Sequence, residues 1–164
     1  MHLQGKINEI IARLATAKLD PEKEYDCEIG EKRSLDANAY YWVLIGQYAR
    51  WTRKSKVYWH NDIMERFGEE EQIDGQTVYI MLPDSIRYKE YPKMHLKWTR
   101  HTKTGSDGKT YRWFIKMQDS HTYTRKQFSR LIDGIIDEIQ GAEAPIETMT
   151  RDELESLKGY EATL

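Results

Sequence analysis

Residues 33–56 read RSLDANAYYWVLIGQYARWTRKSK, and they predict a long helix around which the rest of the chain is organised. Ser34 is a typical N-cap residue, and Asp36 places a negative charge beside the positive end of the helix dipole. Apolar side chains occur on nearly every side of this helix, which is typical of a helix buried within its domain or against a partner chain. The stretch ends in four cations, Arg50, Arg53, Lys54 and Lys56. The sequence therefore predicts a central buried helix with a basic tip.

At 3.6 residues per turn, we take one side of this helix as the core face. The residues that share it are Leu35, Ala39, Trp42, Gly46 and Ala49, with Asn38 and Ile45 on its flank. The opposite side is scarcely more polar and carries Tyr40, Tyr41, Leu44, Tyr48 and Trp51. Read from the helix alone, Asn38 is a structural residue that hydrogen-bonds to backbone or to a neighbouring strand.

Length and composition bound the kind of protein. The 164 residues predict a single domain over residues 1–164, with a loosely packed acidic segment at 141–164. Aromatic residues make up 12% of the chain and are mostly Tyr and Trp, which suit surfaces and interfaces. Cys27 is the single cysteine, which leaves no internal disulfide and no thiolate metal cluster. No apolar run reaches the length of a membrane span, and no signal-peptide core is present, so we expect a soluble protein of the cytoplasm.

The net charge of -2 hides a strong segregation of charge along the chain. Residues 20–31 carry six acids and one Lys, and residues 133–164 carry nine acids and two bases. Between them, residues 87–130 carry twelve Lys and Arg against three acids. A protein that sorts its charge in this way can present a basic face to a polyanion while its overall charge stays near zero.

The other elements follow from hydrophobic periodicity and turn signals. In chain order they are a helix at 6–19, a strand at 25–29, a helix at 57–67, a strand at 76–82 after the Asp74-Gly75 turn, strands at 95–101 and 110–118, a helix that ends near 140 and a short helix at 151–158. This order predicts an α+β fold, with a central buried helix, a small antiparallel sheet of hairpins and C-terminal helices.

Local signals mark where some of these elements begin and where regular structure stops. The pairs Thr124/Gln127 and Thr150/Glu153 have the spacing of capping boxes, and they predict the starts of the last two helices. The acidic run at 69–71 is interpreted as a solvated turn. The segment between Pro83 and Pro92 is interpreted as a connector without regular structure.

The hairpin at 95–118 carries the argument for nucleic acid. Because side chains alternate along a strand, Lys97 and Lys103 point one way, while Trp98 and Arg100 point the other. On the partner strand, one face carries Arg112, Phe114 and Lys116, and the other carries Tyr111, Trp113, Ile115 and Met117. One face of the hairpin is therefore predicted to be basic with aromatic residues interleaved. Single-stranded nucleic acid needs that combination, because cations track its phosphates and unpaired bases stack on rings. The alternative is an ordinary exposed hairpin whose tryptophans belong to the core.

Signals for catalysis or metal binding are weak. Asp133 and Asp137 lie four apart on one helix face, which suits two metal-binding carboxylates but also suits an ordinary solvated face. His95 and His101 are predicted to share a strand face, with no third ligand at metal-site spacing. No Gly-rich phosphate loop, nucleophile elbow or H-E-x-x-H motif is present. We therefore expect no catalytic residue, no metal and no cofactor.

Residues 32–42, KRSLDANAYYW, resemble the signature of the phage NinB (Orf) recombination proteins, in which a K/R-S-L-x-x-N segment opens a helix that carries an aromatic pair. Arg33, Ser34, Asn38 and Trp42 match this pattern, whereas Ala37 stands where the family often has Gln. The ending SRLIDGIIDEI…IETMTRDEL also resembles the close of related prophage-encoded proteins.

The resemblance implies a dimeric, non-enzymatic mediator that binds single-stranded DNA and helps a recombinase to displace the host single-strand binding protein. The expected partners are single-stranded DNA, that host protein, a recombinase and a second copy of the chain, in the cytoplasm of a bacterial host. The expected DNA contacts are Arg50, Arg53, Lys54, Lys56, Lys97, Arg100, Lys103, Lys109, Arg112 and Lys116, with Trp51, Trp98 and Trp113 as stacking platforms.

Two alternatives remain open at the level of sequence. The first is a metal-dependent DNA junction nuclease, because carboxylates that a fold brings together are invisible in a sequence. The second is an adaptor whose aromatic helix tip binds a host replication protein.

Overall fold

The computed structural model of the chain describes residues 35–162, so the expected helix at 6–19, the strand at 25–29, Cys27 and the N-cap Ser34 lie outside the described residues. The described helices are α1 (Leu35–Thr52), α2 (Lys56–Phe67), α3 (Arg125–Gly141) and α4 (Arg151–Ser156). The described strands are β1 (Gln72–Ile73), β2 (Gln76–Thr77), β3 (Tyr79–Pro83), β4 (Leu96–Thr104) and β5 (Thr110–Lys116). Helices and strands in this arrangement form an α+β fold, as the sequence predicts.

The helices α1, α2 and α3 pack against one another around the hydrophobic core. In α3 the apolar side chains at helical spacing predict one inward face, and all six are buried: Phe128, Leu131, Ile132, Ile135, Ile136 and Ile139. Both predicted capping boxes are present, and the hydroxyls of Thr124 and Thr150 accept from the backbone N–H groups of Gln127 and Glu153. These local signals are correct because each depends only on residues within one turn of helix. The last helix ends at Ser156, two residues before the predicted end.

The predicted core face of α1 is only partly correct: Gly46, Ala49 and the flanking Ile45 are buried, whereas Ala39 and Trp42 are exposed. The other buried residues of α1, Ala37, Tyr41, Leu44 and Tyr48, lie outside the predicted face. The tyrosines turn inward because their hydroxyls find partners there. Tyr41 Oη lies 2.9 Å from His60 Nδ1, and Tyr48 donates to Glu138 Oε1 at 2.9 Å. A buried tyrosine needs such a partner for its hydroxyl.

The strands form two antiparallel sheets. In the first, β1 pairs with β2 across Asp74 and Gly75, which both have positive φ (52° and 74°), as a tight two-residue hairpin turn requires. In the second, the order is β3-β5-β4, so β5 is central and β4 lies at one edge. The hairpin predicted at 95–118 is confirmed as β4 and β5. None of the described helices is long and apolar enough to cross a membrane.

The three-stranded sheet is attached to the helices through a polar face of α2. Asn61 is only 1% exposed, and its Nδ2 donates to the carbonyls of Lys89 (3.0 Å) and Tyr91 (2.9 Å). Because Nδ2 donates to both carbonyls, Oδ1 accepts from Nδ1 of His95, 2.8 Å away. The segment that we expected to be irregular forms a short 3₁₀ helix at Tyr88–Glu90 beside these contacts.

Asn61→Ala should lower the free energy of unfolding by about 1–3 kcal/mol, because it removes three hydrogen bonds of a buried side chain, two to backbone carbonyls and one from His95. Urea unfolding of the variant, followed by circular dichroism, measures this loss. Gln72→Ala is the control, since Gln72 is an exposed amide in β1. An Asn61 variant as stable as this control would contradict the assigned role.

Stability should also fall in mild acid because of His95. Burial lowers the pKa of His95, and Asp119, whose Oδ1 lies 3.5 Å from Nε2, opposes this only in part. The unfolded chain therefore takes up more protons, so the free energy of unfolding falls as the pH drops below about 6.5. His95→Gln should flatten this fall in urea titrations at several pH values, whereas the exposed His121→Gln should not.

Candidate nucleic-acid interface

The register of β5 with its two neighbours assigns each side chain of the hairpin to one of two faces. Phe114, which is fully buried, is opposite Trp98 in β4 and Ile80 in β3, so these residues share the inner face. Trp113 is opposite Met81 and therefore points to the other side of the sheet. We call that side the outer sheet face; it carries Tyr79, Met81, Lys97, Lys103, Tyr111, Trp113 and Ile115.

The outer sheet face exposes large apolar side chains. Tyr79, Met81 and Trp113 are 51%, 42% and 38% exposed and lie on adjacent strands. Sequence reasoning found Trp113 but missed Tyr79 and Met81. The run at 78–82 is apolar throughout and shows no alternation, so only the pairing of β3 with β5 reveals which side chains point outward.

The hairpin differs from the predicted arrangement in the face on which basic and aromatic side chains alternate. The predicted face of Arg112, Phe114 and Lys116 is the inner one, since Phe114 lies in contact with the ring of Tyr88 at 5.0 Å between ring centroids. Basic and aromatic side chains instead alternate on the outer sheet face. There Lys97 is opposite Ile115, and Lys103 is opposite Tyr111.

Arg112 is held by partners within the protein. Its Nε donates to Asp84 Oδ1 at 2.5 Å, and one terminal nitrogen donates to the carbonyl of Thr99 at 2.6 Å. Its guanidinium carbon lies 4.3 Å from the centroid of the Trp98 ring, and its side chain is 12% exposed. We therefore assign Arg112 to the support of Trp98 and not to phosphate contact.

Three glutamates predicted to form a solvated turn are engaged in ion pairs. Glu70 pairs with Lys97 and Glu71 with Lys116, each with 2.7 Å between nitrogen and oxygen. Glu69 pairs with Arg130 at 2.5 Å. Ion pairs this exposed contribute at most about 1 kcal/mol each to stability. A phosphate of DNA can therefore replace one of these glutamates as the partner of its cation at a small cost in free energy.

The distal half of the hairpin carries the cations without acidic partners. Among residues 35–162, the side chains of Arg100, Lys103 and Lys109 make no ion pair or hydrogen bond. The acid nearest to them in the chain is Asp107, whose carboxylate accepts from Lys109 N (3.0 Å) and from the hydroxyl of Tyr111 (2.8 Å). These hydrogen bonds lower the pKa of Asp107 and tie its charge to the loop.

The basic tip of α1 forms a second, separate group. Arg50, Arg53, Lys54 and Lys56 are all exposed, and Lys54 Nζ lies 4.0 Å from the centroid of the Tyr58 ring. This tip adjoins the start of α2, whereas the hairpin meets α2 near its end, where Trp98 N donates to Glu65 Oε1 at 2.9 Å. Nine residue steps along α2, from Lys56 to Glu65, separate the two points by about 14 Å. The cations at the tip of α1 and those of the hairpin therefore lie apart and do not form one continuous basic surface.

The residues that resemble the NinB signature are only partly described. Arg33 and Ser34 lie outside the described residues. Asn38 is half-buried, and its amide hydrogen-bonds to no other residue in the described range, so the expected backbone bond is not formed there. Trp42 is exposed on one side and packs on the ring of His60, with 4.7 Å between centroids.

The residues of the nuclease alternative are not brought together with further ligands. Asp133 accepts from the hydroxyl of Tyr160 at 2.6 Å, and Asp137 faces solvent beside it in a groove with Arg66 and Arg130. His95 is bound to Asn61, whereas the side chain of His101 is exposed and distant along β4. Within the part of the chain that the structure describes, no three metal-ligating side chains cluster.

No protein-family model, curated protein or solved structure matches this chain. The resemblance to the NinB proteins therefore stays a prediction.

Arg112→Ala should lower the free energy of unfolding by about 2 kcal/mol, because it removes hydrogen bonds to a carboxylate and a carbonyl from a nearly buried site. Lys116→Ala, on the same strand, should cost under about 1 kcal/mol, since its ion pair is exposed. Urea unfolding of both variants makes the comparison. Equal losses of stability in the two variants would contradict the assignment of Arg112 to the support of Trp98.

Proposed function

We propose that this protein binds single-stranded DNA through the outer sheet face and the distal half of the β4–β5 hairpin. The observation that carries the proposal is the exposure of Tyr79, Met81 and Trp113 on one side of a sheet, beside cations without acidic partners. Exposed apolar side chains on adjacent strands are an unusual surface for a soluble domain and are typical of binding sites.

The chemistry of this surface suits unpaired bases. Each base that stacks on an aromatic ring contributes about 1–3 kcal/mol, and any base can do so because all have a π face. The phosphates then follow Arg100 and Lys103 on β4 and Lys109 in the loop before β5. Binding of this kind depends strongly on salt and weakly on base sequence.

The biological role we propose is that of a recombination mediator of phage origin, acting as a homodimer in the cytoplasm of a bacterial host. The resemblance of residues 32–42 to NinB proteins supports this role, as does the basic hairpin. In this role the protein has no catalytic residue and no cofactor. Its partners are single-stranded DNA, the host single-strand binding protein and a recombinase.

Neutralising Arg100, Lys103 and Lys109 together, each to Gln, should weaken binding to oligo(dT) and reduce the slope of log K against log salt by about 2, since each single-strand phosphate contact contributes about 0.7. Fluorescence anisotropy over a range of salt concentrations measures both quantities. Lys126→Gln is the matched control, because Lys126 is an exposed cation in the first turn of α3.

An unchanged salt slope in the triple variant would contradict the assignment of DNA binding to this surface. The same reactions, supplied with Mg²⁺ or Mn²⁺ and branched DNA, test the nuclease alternative. A mediator leaves the DNA intact, whereas cleavage by the purified protein would favour the nuclease.

A second candidate function is that of an adaptor, favoured by one observation at the tip of α1. Trp51 is exposed, stacks on Tyr48 and lies in a groove with Arg50, Pro145 and Ile146. Purified host single-strand binding protein that binds this chain after nuclease treatment and in high salt, and does so less with Trp51→Ala, would favour the adaptor. Binding abolished by nuclease would point back to DNA.

A further inference from the structure

The two tryptophans of the hairpin lie on opposite faces of the three-stranded sheet. Trp98 is opposite Phe114 on the inner face, beyond the edge of the core, and remains 48% exposed. Trp113 belongs to the outer sheet face, opposite Met81. Trp98 lies on the edge strand β4 and Trp113 on the neighbouring central strand β5, about 5 Å away, so a path from one ring to the other crosses only one strand.

The edge between these two faces is irregular and basic. The register of β4 with β5 shifts between Trp98 and Thr102, and β4 is an edge strand. The shift is stabilised by the hydroxyl of Thr99, which donates to the carbonyl of Trp113 at 2.5 Å. Arg100 lies within this bulge, is exposed and has no acidic partner in the described chain. Bulges of this kind redirect side chains at a sheet edge.

The ring of Trp98 is held in place before any ligand arrives. The guanidinium of Arg112 covers one face of the ring, and Asp84 and Thr99 hold that guanidinium. Trp98 nevertheless remains 48% exposed. A ring that is held in place and still accessible stacks on a base at little cost in side-chain entropy.

We infer that one single strand of nucleic acid crosses the bulged edge of β4, with one base stacked on Trp113, another on Trp98 and the phosphate between them at Arg100. This path rests on the proposed function and adds to it the reason for selecting single strands. A duplex is stiff over about 150 base pairs and keeps its bases stacked inside, so it can lie against one face of the sheet but cannot bend around its edge. A single strand can do so.

The test compares Trp98→Leu and Trp113→Leu, with Trp98→Phe and Trp113→Phe as controls that keep an aromatic ring. Anisotropy titrations use oligo(dT) and a blunt duplex of the same length at one low salt concentration. Each Leu variant should bind oligo(dT) roughly tenfold more weakly, each Phe variant should retain most of the affinity, and duplex affinity should stay the same in all four. Thermal unfolding of each variant checks that the hairpin is still folded.

The outcomes separate the path from the function on which it rests. If Trp113→Leu weakens binding to oligo(dT) and Trp98→Leu does not, DNA stays on the outer sheet face and the path is wrong, while the proposed function stands. If the Leu substitutions weaken duplex and single-strand binding equally, the wrapped edge is not the source of selectivity. If the wild-type protein shows no salt-dependent binding to oligo(dT), the proposed function itself fails.

Discussion

The side-chain amide of Asn61 is the interaction on which the arrangement of the sheet depends. It lies on α2 and makes three hydrogen bonds, donating to two carbonyls of the 89–91 segment and accepting from His95. Glu65, one turn further along the helix, accepts from the backbone N–H of Trp98 and from the hydroxyl of Tyr88. A helix that attaches a sheet through polar groups fixes its orientation, because hydrogen bonds are directional and apolar contacts are not.

That attachment leaves one face of the sheet and half of the hairpin in solvent. The inner face is covered where Phe114 and Leu96 are buried, but β4 continues beyond them to Thr104. From Arg100 to Thr104 every residue of β4 is exposed. The same geometry therefore sets the outer sheet face, the exposure of Trp98 and the reach of the cations at the tip of the hairpin.

The parts of the fold that the sequence predicted correctly are those whose causes are local. The isoleucine face of α3, the two capping boxes and the Asp74-Gly75 turn each depend on residues within a few positions of one another. The inward face of α1 was predicted only in part because both sides of that helix are apolar. It is decided by hydroxyl partners of Tyr41 and Tyr48 that lie 19 and 90 residues away in the chain.

By itself, the sequence determined that this is an α+β chain with a basic, tryptophan-bearing hairpin at 95–118. Strand alternation, turn residues and charge are properties of neighbouring residues, so they can be identified without the tertiary structure. Only the tertiary structure decided which of those basic residues remain available. Glu70, Glu71 and Asp84 engage Lys97, Lys116 and Arg112. The tertiary structure also placed Tyr79 and Met81 on the exposed surface. The direction of a side chain in an unbroken apolar run depends on which strand pairs with it.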